Sequence, residues 1–363
     1  MDVMTSSPLQ KDNAETCSLR VPSYISCREA TMSDSRKQLR RAICGSCAAS
    51  NWIPGDLGML ETTPCTKCGH PVILPTRIRQ FELREVVASG GMGTVYRSMD
   101  VNLERIVAVK LMKREMAEDK EVMESFYREA RAGAALNHQH IIHVYTFDEF
   151  EGRPFLVMEL ADHGSLDSRI EKEKVVPEVA VLDVGIAMCS ALESALRKNF
   201  LHRDIKPGNI LYNAEGESKL VDFGLARKAQ TDEAFEGAVW GTPYYIAPEK
   251  VKREAETFYS DMYSLGGTLY HALTGHVPFE AETIEEIIAA HVHTPLTLPN
   301  RVRTDSSQAT SDALAQAMAK DPNQRFPTYF DFRMALEASR GNLLIAIHRP
   351  GEPEKGIKSW FRR

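Results

Sequence analysis

The chain has no long hydrophobic run, few cysteines and no excess of positive charge. No stretch approaches the roughly 18 apolar residues that a membrane-spanning helix needs, and the run Leu343 to Ile347 is far too short. Residues 1–10 lack a charged region followed by an apolar one, so we expect no signal peptide. A formal net charge of -6 argues against a general affinity for nucleic acid. These absences predict a cytoplasmic protein without a transmembrane segment.

The seven cysteines are odd in number, which argues against a disulfide framework. The remaining composition, 43% hydrophobic and 26% charged, is ordinary for a protein with a sizeable core. A length of 363 residues predicts two or three folding units, and the sequence shows no internal repeat.

The composition and hydrophobic pattern of the sequence change along the chain, and these changes predict four regions. We expect a disordered segment over 1–40, a short cysteine-bearing module over 41–75, a large domain over 81–338 and a C-terminal tail over 339–363. The segment from Pro71 to Thr76 is predicted to be a linker.

Strand patterns come first in the large domain, and helical patterns follow them. Strands are predicted within 81–112 and at 141–147 and 155–160. Helical spacing of apolar residues predicts helices at 118–136, 177–198, 258–275, 283–293, 306–319 and 328–338. A β-rich half followed by an α-rich half predicts an α+β protein whose two lobes enclose a cleft.

Two pairs of cysteines have the spacing of metal ligands. Cys44 and Cys47 form the first pair, Cys65 and Cys68 form the second, and 17 residues separate the two pairs. Two such knuckles are typical of a zinc ribbon, in which four thiolates bind a structural Zn²⁺ that supplies folding energy. Free thiols, or a lost site that keeps its spacing, are the alternatives. His70 is predicted to be exposed to solvent, because four cysteines already complete a ligand set.

A glycine-rich turn lies between two strand patterns, at Gly90, Gly91 and Gly93. Glycines there let backbone N–H groups approach phosphate oxygens, although on its own this motif is more often a plain hairpin turn. Lys110 ends the next strand and Glu129 lies on the following helix. Taken alone, each of these two charges would be an ordinary solvated side chain.

A second polar cluster is more specific. The segment from His202 to Asn209 gathers an acid, a base and an amide within eight residues, and Asp222-Phe223-Gly224 follows thirteen residues later. Aspartate and asparagine supply the oxygen ligands that Mg²⁺ prefers, and Mg²⁺ accompanies phosphates. Two ordinary polar turns would explain neither the pairing of these motifs nor their order.

These motifs, in this order, resemble protein kinases from about Phe81 to Leu336, and most closely the bacterial eukaryotic-like serine/threonine kinases. The resemblance implies a two-lobed protein-kinase fold, here preceded by a small zinc ribbon. It implies transfer of the γ-phosphate of ATP to serine and threonine hydroxyls of protein substrates, with Mg²⁺ (or Mn²⁺) as cofactor and with autophosphorylation.

The resemblance also implies roles for individual residues. Asp204 would accept the proton of the substrate hydroxyl, and Lys206 would neutralise the transferred phosphoryl group. The catalytic residues implied are Lys110, Glu129, Asp204, Lys206 and Asn209. The metal ligands implied are Asn209 and Asp222 for Mg²⁺. The ATP-binding residues implied are Ala88, Ser89, Gly90, Gly91, Met92, Gly93, Val95, Ala108, Lys110, Met158, Glu159, Ala161, Leu211 and Asp222.

One position departs from the family pattern. The family usually begins its phosphate-binding loop with glycine, whereas this chain has Ala88. A Cβ at this position limits the freedom of the backbone. We therefore expect modestly weaker nucleotide binding with activity retained.

The resemblance implies a regulatory arginine, Arg203, which would bind a phosphate on the activation segment. Thr231 and Thr242 are the only threonines between the metal aspartate and the end of that segment, and no serine lies there. Thr242 would line the substrate site, so Thr231 is predicted to be the autophosphorylation site. Asp232 and Glu233 follow directly and could supply the same charge without modification.

Further matches imply two structural contacts. Asp261 would brace the catalytic loop, and Arg325 would pair with Glu249.

The sequence contains features that oppose two other functions. A non-catalytic scaffold or pseudokinase is opposed by the presence of Lys110, Asp204 and Asp222. A nucleic-acid-binding regulator directed by the ribbon is opposed by the acidic net charge and by the lack of aromatic residues among the nearby arginines. For the ribbon itself, the sequence favours a protein partner or autoregulation.

Overall fold

The computed structural model describes residues 39–223, 227–228 and 243–348. The predictions made for residues 1–38 and 349–363, for Gly224, and for Thr231 and Thr242 lie outside these described residues. Within them, strands dominate up to residue 158 and helices follow, so the predicted α+β fold with a β-rich small lobe and a helical large lobe is confirmed.

The strands have these bounds: β1 Leu39–Ile43, β2 Ser50–Pro54, β3 Thr63–Pro64, β4 Pro71–Val72, β5 Thr76–Ile78, β6 Phe81–Ser89, β7 Gly93–Asp100, β8 Arg105–Met112, β9 Val144–Phe150, β10 Arg153–Met158, β11 Phe200–Leu201, β12 Ile210–Tyr212, β13 Ser218–Leu220 and β14 Arg227–Lys228. The helices have these bounds: α1 Lys120–Ala135, α2 Leu166–Glu173, α3 Glu178–Arg197, α4 Pro248–Val251, α5 Phe258–Thr274, α6 Ile284–His293, α7 Pro299–Val302, α8 Gln308–Ala317 and α9 Tyr329–His348.

Six antiparallel strands form the sheet of the small lobe, in the order β5-β6-β7-β8-β10-β9. Val107, Val109 and Leu111 of β8 lie in the buried core on one face of this sheet. Because side chains alternate along a strand, Lys110 points to the opposite face. This alternation presents Lys110 to helix α1.

Polar caps fix where the helices begin. Asp119 accepts a hydrogen bond from the N–H of Glu121 at 2.9 Å and so starts α1. Thr257 and Ser260 form a capping box at the start of α5, which ends at Gly275 with a φ of 78°. These caps set the helical positions from which Glu129 and Asp261 reach the cleft.

Helix α3 packs against α5 and α9 in the large lobe. A Cβ at Gly185 would lie 2.8 Å from side-chain carbons of both Leu269 and Leu336, so a larger residue would force these leucines to shift. Among the described residues, α3 is the one helix long and apolar enough to cross a membrane, and 56% of that span is buried inside the protein. Its apolar composition therefore matches its place in the core.

The predicted helices agree with the structure to within two residues, except at the end of the chain. The helix predicted over 328–338 continues to His348, because Ser339 is buried against Thr310 and Leu343 packs on the core of the lobe. Helix α2 was not predicted.

The cysteine pairs belong to two short hairpins, β1–β2 and β3–β4. The segment Pro71 to Thr76 is not a linker, and this prediction was wrong. Val72 and Leu74 are buried in the core of the ribbon, and Ile73 between them is buried in the core of the small lobe.

Candidate active site

A buried ion pair connects the sheet of the small lobe to α1. Lys110 Nζ lies 2.7 Å and 2.6 Å from the two carboxylate oxygens of Glu129. Burial alone would lower the pKa of Lys110, but the carboxylates of Glu129 and Asp222 outweigh it and raise the pKa. The ammonium therefore stays charged inside the cleft.

Asp204 lies at the centre of a hydrogen-bond network in the catalytic loop. Its Oδ2 accepts from Lys206 Nζ at 2.7 Å and from Asn209 Nδ2 at 2.9 Å. Asn209 Nδ2 also donates to the backbone carbonyl of Asp204 at 2.7 Å. The carboxylate is thus held in one orientation by a cation and an amide.

Asp261 holds the backbone of the catalytic loop through hydrogen bonds. Its two carboxylate oxygens accept the N–H groups of His202 and Arg203, each at 2.7 Å. His202 donates through Nε2 to the carbonyl of Val221 at 2.9 Å and packs edge-on against Phe223 at 4.6 Å between ring centroids. Asp261 therefore braces the catalytic loop, as predicted, and His202 joins that loop to the Asp222 turn.

Asp222 follows β13 in a left-handed backbone conformation, with a φ of 67°. The N–H of Val221 bonds to the carbonyl of Asn209 at 3.0 Å, so the two predicted metal ligands lie on adjoining segments. The Nδ2 of Asn209 is used by Asp204, which leaves its Oδ1 as the oxygen that can bind a cation. An amide oxygen beside a carboxylate is a donor set that fits Mg²⁺.

The predicted phosphate loop closes the β6–β7 hairpin. The N–H of Gly90 bonds to the carbonyl of Gly93 at 2.9 Å. A Cβ at Gly93 would lie 2.7 Å from the backbone oxygen of Leu111, so this glycine is required by close packing. No atom lies within 4 Å of a Cβ built at Gly91, so the tip of the loop is open. The rest of the loop comprises Ala88, Ser89 and Met92, which are exposed.

The predicted adenine site lies where β10 passes into the large lobe. Ala108 pairs with Met158, and Val95 pairs with Lys110, so these residues share the face of the sheet that carries Lys110. Leu211 lies on β12 of the large lobe, paired with Ser165.

Two hinge residues follow Met158. The N–H of Glu159 is taken by the carbonyl of His143 at 2.8 Å, which leaves the Glu159 carbonyl for a base. Ala161 is buried two residues further on.

The Nε atom of Arg203 is buried. The φ of this residue is 68°, and its Nε has no hydrogen-bond partner among the described residues. A buried guanidinium nitrogen that lacks an acceptor is costly unless an anion completes it. This observation fits the predicted binding of a phosphate.

Arg325 and Glu249 form a bidentate ion pair, at 2.7 Å and 2.8 Å, with side-chain exposures of only 0% and 4%. Burial would raise the pKa of Glu249, but the charge and hydrogen bonds of Arg325 outweigh it and lower the pKa. The pair ties the segment after the cleft to the loop before α9.

We expect Arg325→Met to destabilise the protein by about 3–5 kcal/mol, because it leaves a buried carboxylate without a partner. Urea unfolding measures the change. The matched control is Arg340→Met, which removes the exposed ion pair of Arg340 with Asp183 and should cost about 0–1 kcal/mol. Equal effects of the two substitutions would contradict the assignment.

The four predicted cysteines come together in the ribbon. Their sulfur atoms all lie within 4.8 Å of one another, and the pairs Cys44–Cys68 and Cys47–Cys65 are 3.6 Å apart. A tetrahedral zinc site with Zn–S bonds of about 2.3 Å requires sulfurs roughly 3.8 Å apart. The cluster therefore fits a Cys₄ zinc site.

Hydrogen bonds to sulfur favour the thiolate form. The backbone N–H of Lys67 and the side chain of Asn51 donate to Cys65 Sγ at 3.4 Å and 3.5 Å. Chiefly because of the Lys67 N–H, the pKa of Cys65 is lowered to about 6 despite its burial. Although a backbone hydrogen bond from Ala49 lowers it, the neighbouring thiols and burial raise the pKa of Cys47 to about 12. Metal ligands must be deprotonated, so metal binding would release the protons that the cluster still holds.

His70 is not solvent-exposed, and this prediction was wrong. It is half-buried, and its Nε2 lies 2.8 Å from the carbonyl oxygen of Val86 in β6. No pattern in the sequence indicates this contact. The one hint is that the knuckle uses only the backbone carbonyl of His70, so its imidazole side chain has no part in the knuckle.

A two-lobed fold with a buried lysine–glutamate pair above a loop of aspartate, lysine and asparagine is the arrangement of enzymes that transfer phosphoryl groups from ATP. The chain belongs to the protein kinase family, whose domain matches residues 81–336. The family resemblance seen in the sequence is thereby confirmed.

Curated relatives are bacterial serine/threonine-protein kinases. PknK of Mycobacterium tuberculosis is 36% identical over 282 residues, which cover 77% of this chain and 25% of that protein. PknE of Mycobacterium bovis is 34% identical over 266 residues, covering 73% of this chain and 47% of PknE. A probable serine/threonine-protein kinase of Clostridium perfringens is 32% identical over 250 residues, covering 69% and 36%. The chain therefore spans between a quarter and a half of the length of these relatives.

Proposed function

We propose that this protein is an active ATP-dependent serine/threonine protein kinase. The observation that carries the proposal is that the Lys110–Glu129 pair is formed while Asp204, Lys206 and Asn209 share one hydrogen-bond network. Kinase activity requires both halves of this arrangement at once. A pseudokinase would be expected to lack one of these groups.

In the proposed reaction, Asp204 accepts the proton of a serine or threonine hydroxyl and orients its oxygen for attack. Lys206, at 2.7 Å from Asp204, is placed to neutralise charge on the transferred phosphoryl group. Lys110, kept charged by Glu129, binds the α- and β-phosphates of ATP. The open tip of the loop at Gly91 offers its backbone N–H group to the phosphates.

Asn209 and Asp222 would hold Mg²⁺ (or Mn²⁺) through side-chain oxygens. The bound ion would neutralise charge on the phosphates. The chain's part is to keep these oxygens in place, which Asp204 does for Asn209 through its hydrogen bond at 2.9 Å.

In the cysteine ribbon, Cys44, Cys47, Cys65 and Cys68 would bind a structural Zn²⁺. Reduced thiolates persist in a reducing compartment, so the proposal places the protein in the cytoplasm. Protein substrates bearing serine or threonine are the proposed partners, and the ribbon offers a surface for a further protein. Trp52 on that ribbon is 64% exposed.

The test of this function is the chemical identity of the phosphorylated residue. The protein is incubated with Mg²⁺ and γ-labelled ATP, with and without a generic protein substrate, and the products are hydrolysed to phosphoamino acids. We expect labelled phosphoserine or phosphothreonine. Labelled phosphotyrosine alone would contradict the substrate class, and no label would support a scaffold.

Thr231→Ala should lower activity by about tenfold, the value of one charge-assisted hydrogen bond of about 1.5 kcal/mol to Arg203. The reason is that the buried Nε of Arg203 has no hydrogen-bond partner among the described residues, and a phosphate on Thr231 would supply one. Initial rates and phosphopeptide mapping check the prediction. Arg203→Met should cause the same loss in the wild type and none in the Thr231→Ala background. Active protein in which Thr231 is never modified would contradict it, with Asp232 and Glu233 then supplying the charge.

A further inference from the structure

The two cysteine knuckles have the same backbone hydrogen bonds. In the first, the N–H of Cys44 bonds to the carbonyl of Ala49 at 2.9 Å. In the second, the N–H of Cys65 bonds to the carbonyl of His70 at 2.8 Å. Ala49 and His70 therefore occupy equivalent positions. Since alanine suffices in the first knuckle, the imidazole of His70 is not needed to build the second.

The imidazole instead contacts the small lobe. His70 Nε2 lies 2.8 Å from the carbonyl oxygen of Val86. A carbonyl can only accept, so Nε2 carries the proton and donates it. Val86 lies in β6, two residues before Ala88, where the predicted phosphate loop begins.

This part of β6 is an edge that the sheet itself does not cover. β5 pairs only with residues 81–83 of β6, and the ribbon contacts β6 beyond that point through His70 at Val86 and Gly45 at Glu85. A strand edge without a partner leaves backbone carbonyls unsatisfied. His70 of the ribbon donates a hydrogen bond to one of these carbonyls, that of Val86.

The ribbon is packed against β6 as well as hydrogen-bonded to it. Ile73 is buried in the core of the small lobe, between Val72 and Leu74 in the core of the ribbon, and Leu60 also packs on the lobe. A Cβ at Gly45 of the first knuckle would lie 3.2 Å from the Cβ of Glu85. Consecutive residues of the segment 72–74 alternate between the two cores, so movement of the ribbon moves β6.

We propose that His70 is a positioning residue for the ATP phosphate loop, and that the cysteine ribbon is a fixed part of the nucleotide site. Two bonds link a metal ligand to that loop, from Cys65 N–H to the His70 carbonyl and from His70 Nε2–H to the Val86 carbonyl. They hold β6 where the loop begins, at the position where Ala88 replaces the usual glycine. The inference rests on the proposed kinase function and assigns the ribbon a role within it.

The test compares His70→Ala, His70→Gln and the wild type. The measurements are the dissociation constant for Mg²⁺·ADP, KM for ATP, kcat and zinc content. We expect His70→Ala to weaken ADP binding and raise KM by about fivefold, the effect of losing one hydrogen bond. kcat should stay within about twofold, and zinc should stay stoichiometric, because alanine serves at the equivalent position of the first knuckle. His70→Gln should restore affinity, since its amide N–H can reach the same carbonyl.

Trp52→Ala is the matched control on the exposed face of the ribbon and should change none of these values. Unchanged ADP binding in His70→Ala would overturn the inference, as would loss of zinc in that variant or failure of glutamine to restore affinity. A wild type that binds ADP but transfers no phosphate would overturn the proposed function alone, because the effect on ADP binding tests the inference separately. A wild type that binds no nucleotide would overturn both.

Discussion

Asp204→Asn should lower kcat by roughly 10²- to 10⁴-fold, the range for loss of a general base. Asp204 Oδ2 is held by Lys206 and Asn209 at 2.7 Å and 2.9 Å, so the carboxylate is fixed where a substrate hydroxyl would meet it. An amide keeps the shape but cannot take the proton. Because Lys110 and the phosphate loop are untouched, the dissociation constant for Mg²⁺·ADP should stay within about twofold.

The control for this substitution is Asp312→Asn, which alters an exposed aspartate of α8 and should leave kcat unchanged. Initial rates of γ-phosphate transfer and ADP binding are measured for both variants. Retention of more than about a tenth of the activity by Asp204→Asn would remove Asp204 from the role of base. Loss of ADP binding would indicate a disturbed fold instead.

Cys65→Ala should abolish stoichiometric zinc binding, with a fall in zinc affinity of at least about 100-fold. Substituting a residue that only hydrogen-bonds to a metal ligand can already lower metal affinity by about 100-fold, and Cys65 is itself a proposed ligand. The ribbon core is small, comprising Ala42, Ile53, Val72 and Leu74 with the buried cysteines, so it depends on metal to stay folded. Since Ile73 joins this core to the small lobe, the melting temperature of the kinase domain should fall and ADP binding should weaken.

Cys189→Ala is the matched control, because it removes a cysteine that has no part in the cluster. Cys189 lies in α3, and burial raises the pKa of its thiol, so it stays neutral. Zinc analysis should show loss of zinc in Cys65→Ala and full zinc content in Cys189→Ala. Full zinc content in Cys65→Ala, or an equal loss in both variants, would contradict the Cys₄ assignment.

The sequence predicted the two lobes and the partners within the cleft, because each depends on local pattern or on a motif. The resemblance to protein kinases implied that Lys110 and Glu129 are both catalytic, and the structure places them on β8 and α1. Their carboxylate and ammonium meet at 2.6 Å, a value that only the packed lobe defines. Asp261 was likewise found from its motif, and the structure adds the two N–H groups that it accepts.

The contacts that escaped prediction depend on tertiary packing. His70 reaches Val86 only because the ribbon lies on the open edge of β6, and no periodicity in either segment indicates this. The sequence predicts an end of α9 at 338. Beyond this residue, Gly341 and the β-branched Ile345 and Ile347 have low helical propensity. Packing of Leu343 on the core extends α9. Helix α2 has only eight residues, too few for a clear periodic signal.

The most direct test of the central claim is the rate of γ-phosphate transfer from Mg²⁺·ATP to a generic protein substrate. The account predicts transfer by the wild type that stops when Mg²⁺ is chelated and that exceeds the rate of Asp204→Asn by at least about 100-fold. A wild type no faster than Asp204→Asn, under conditions in which it binds Mg²⁺·ADP, would contradict it.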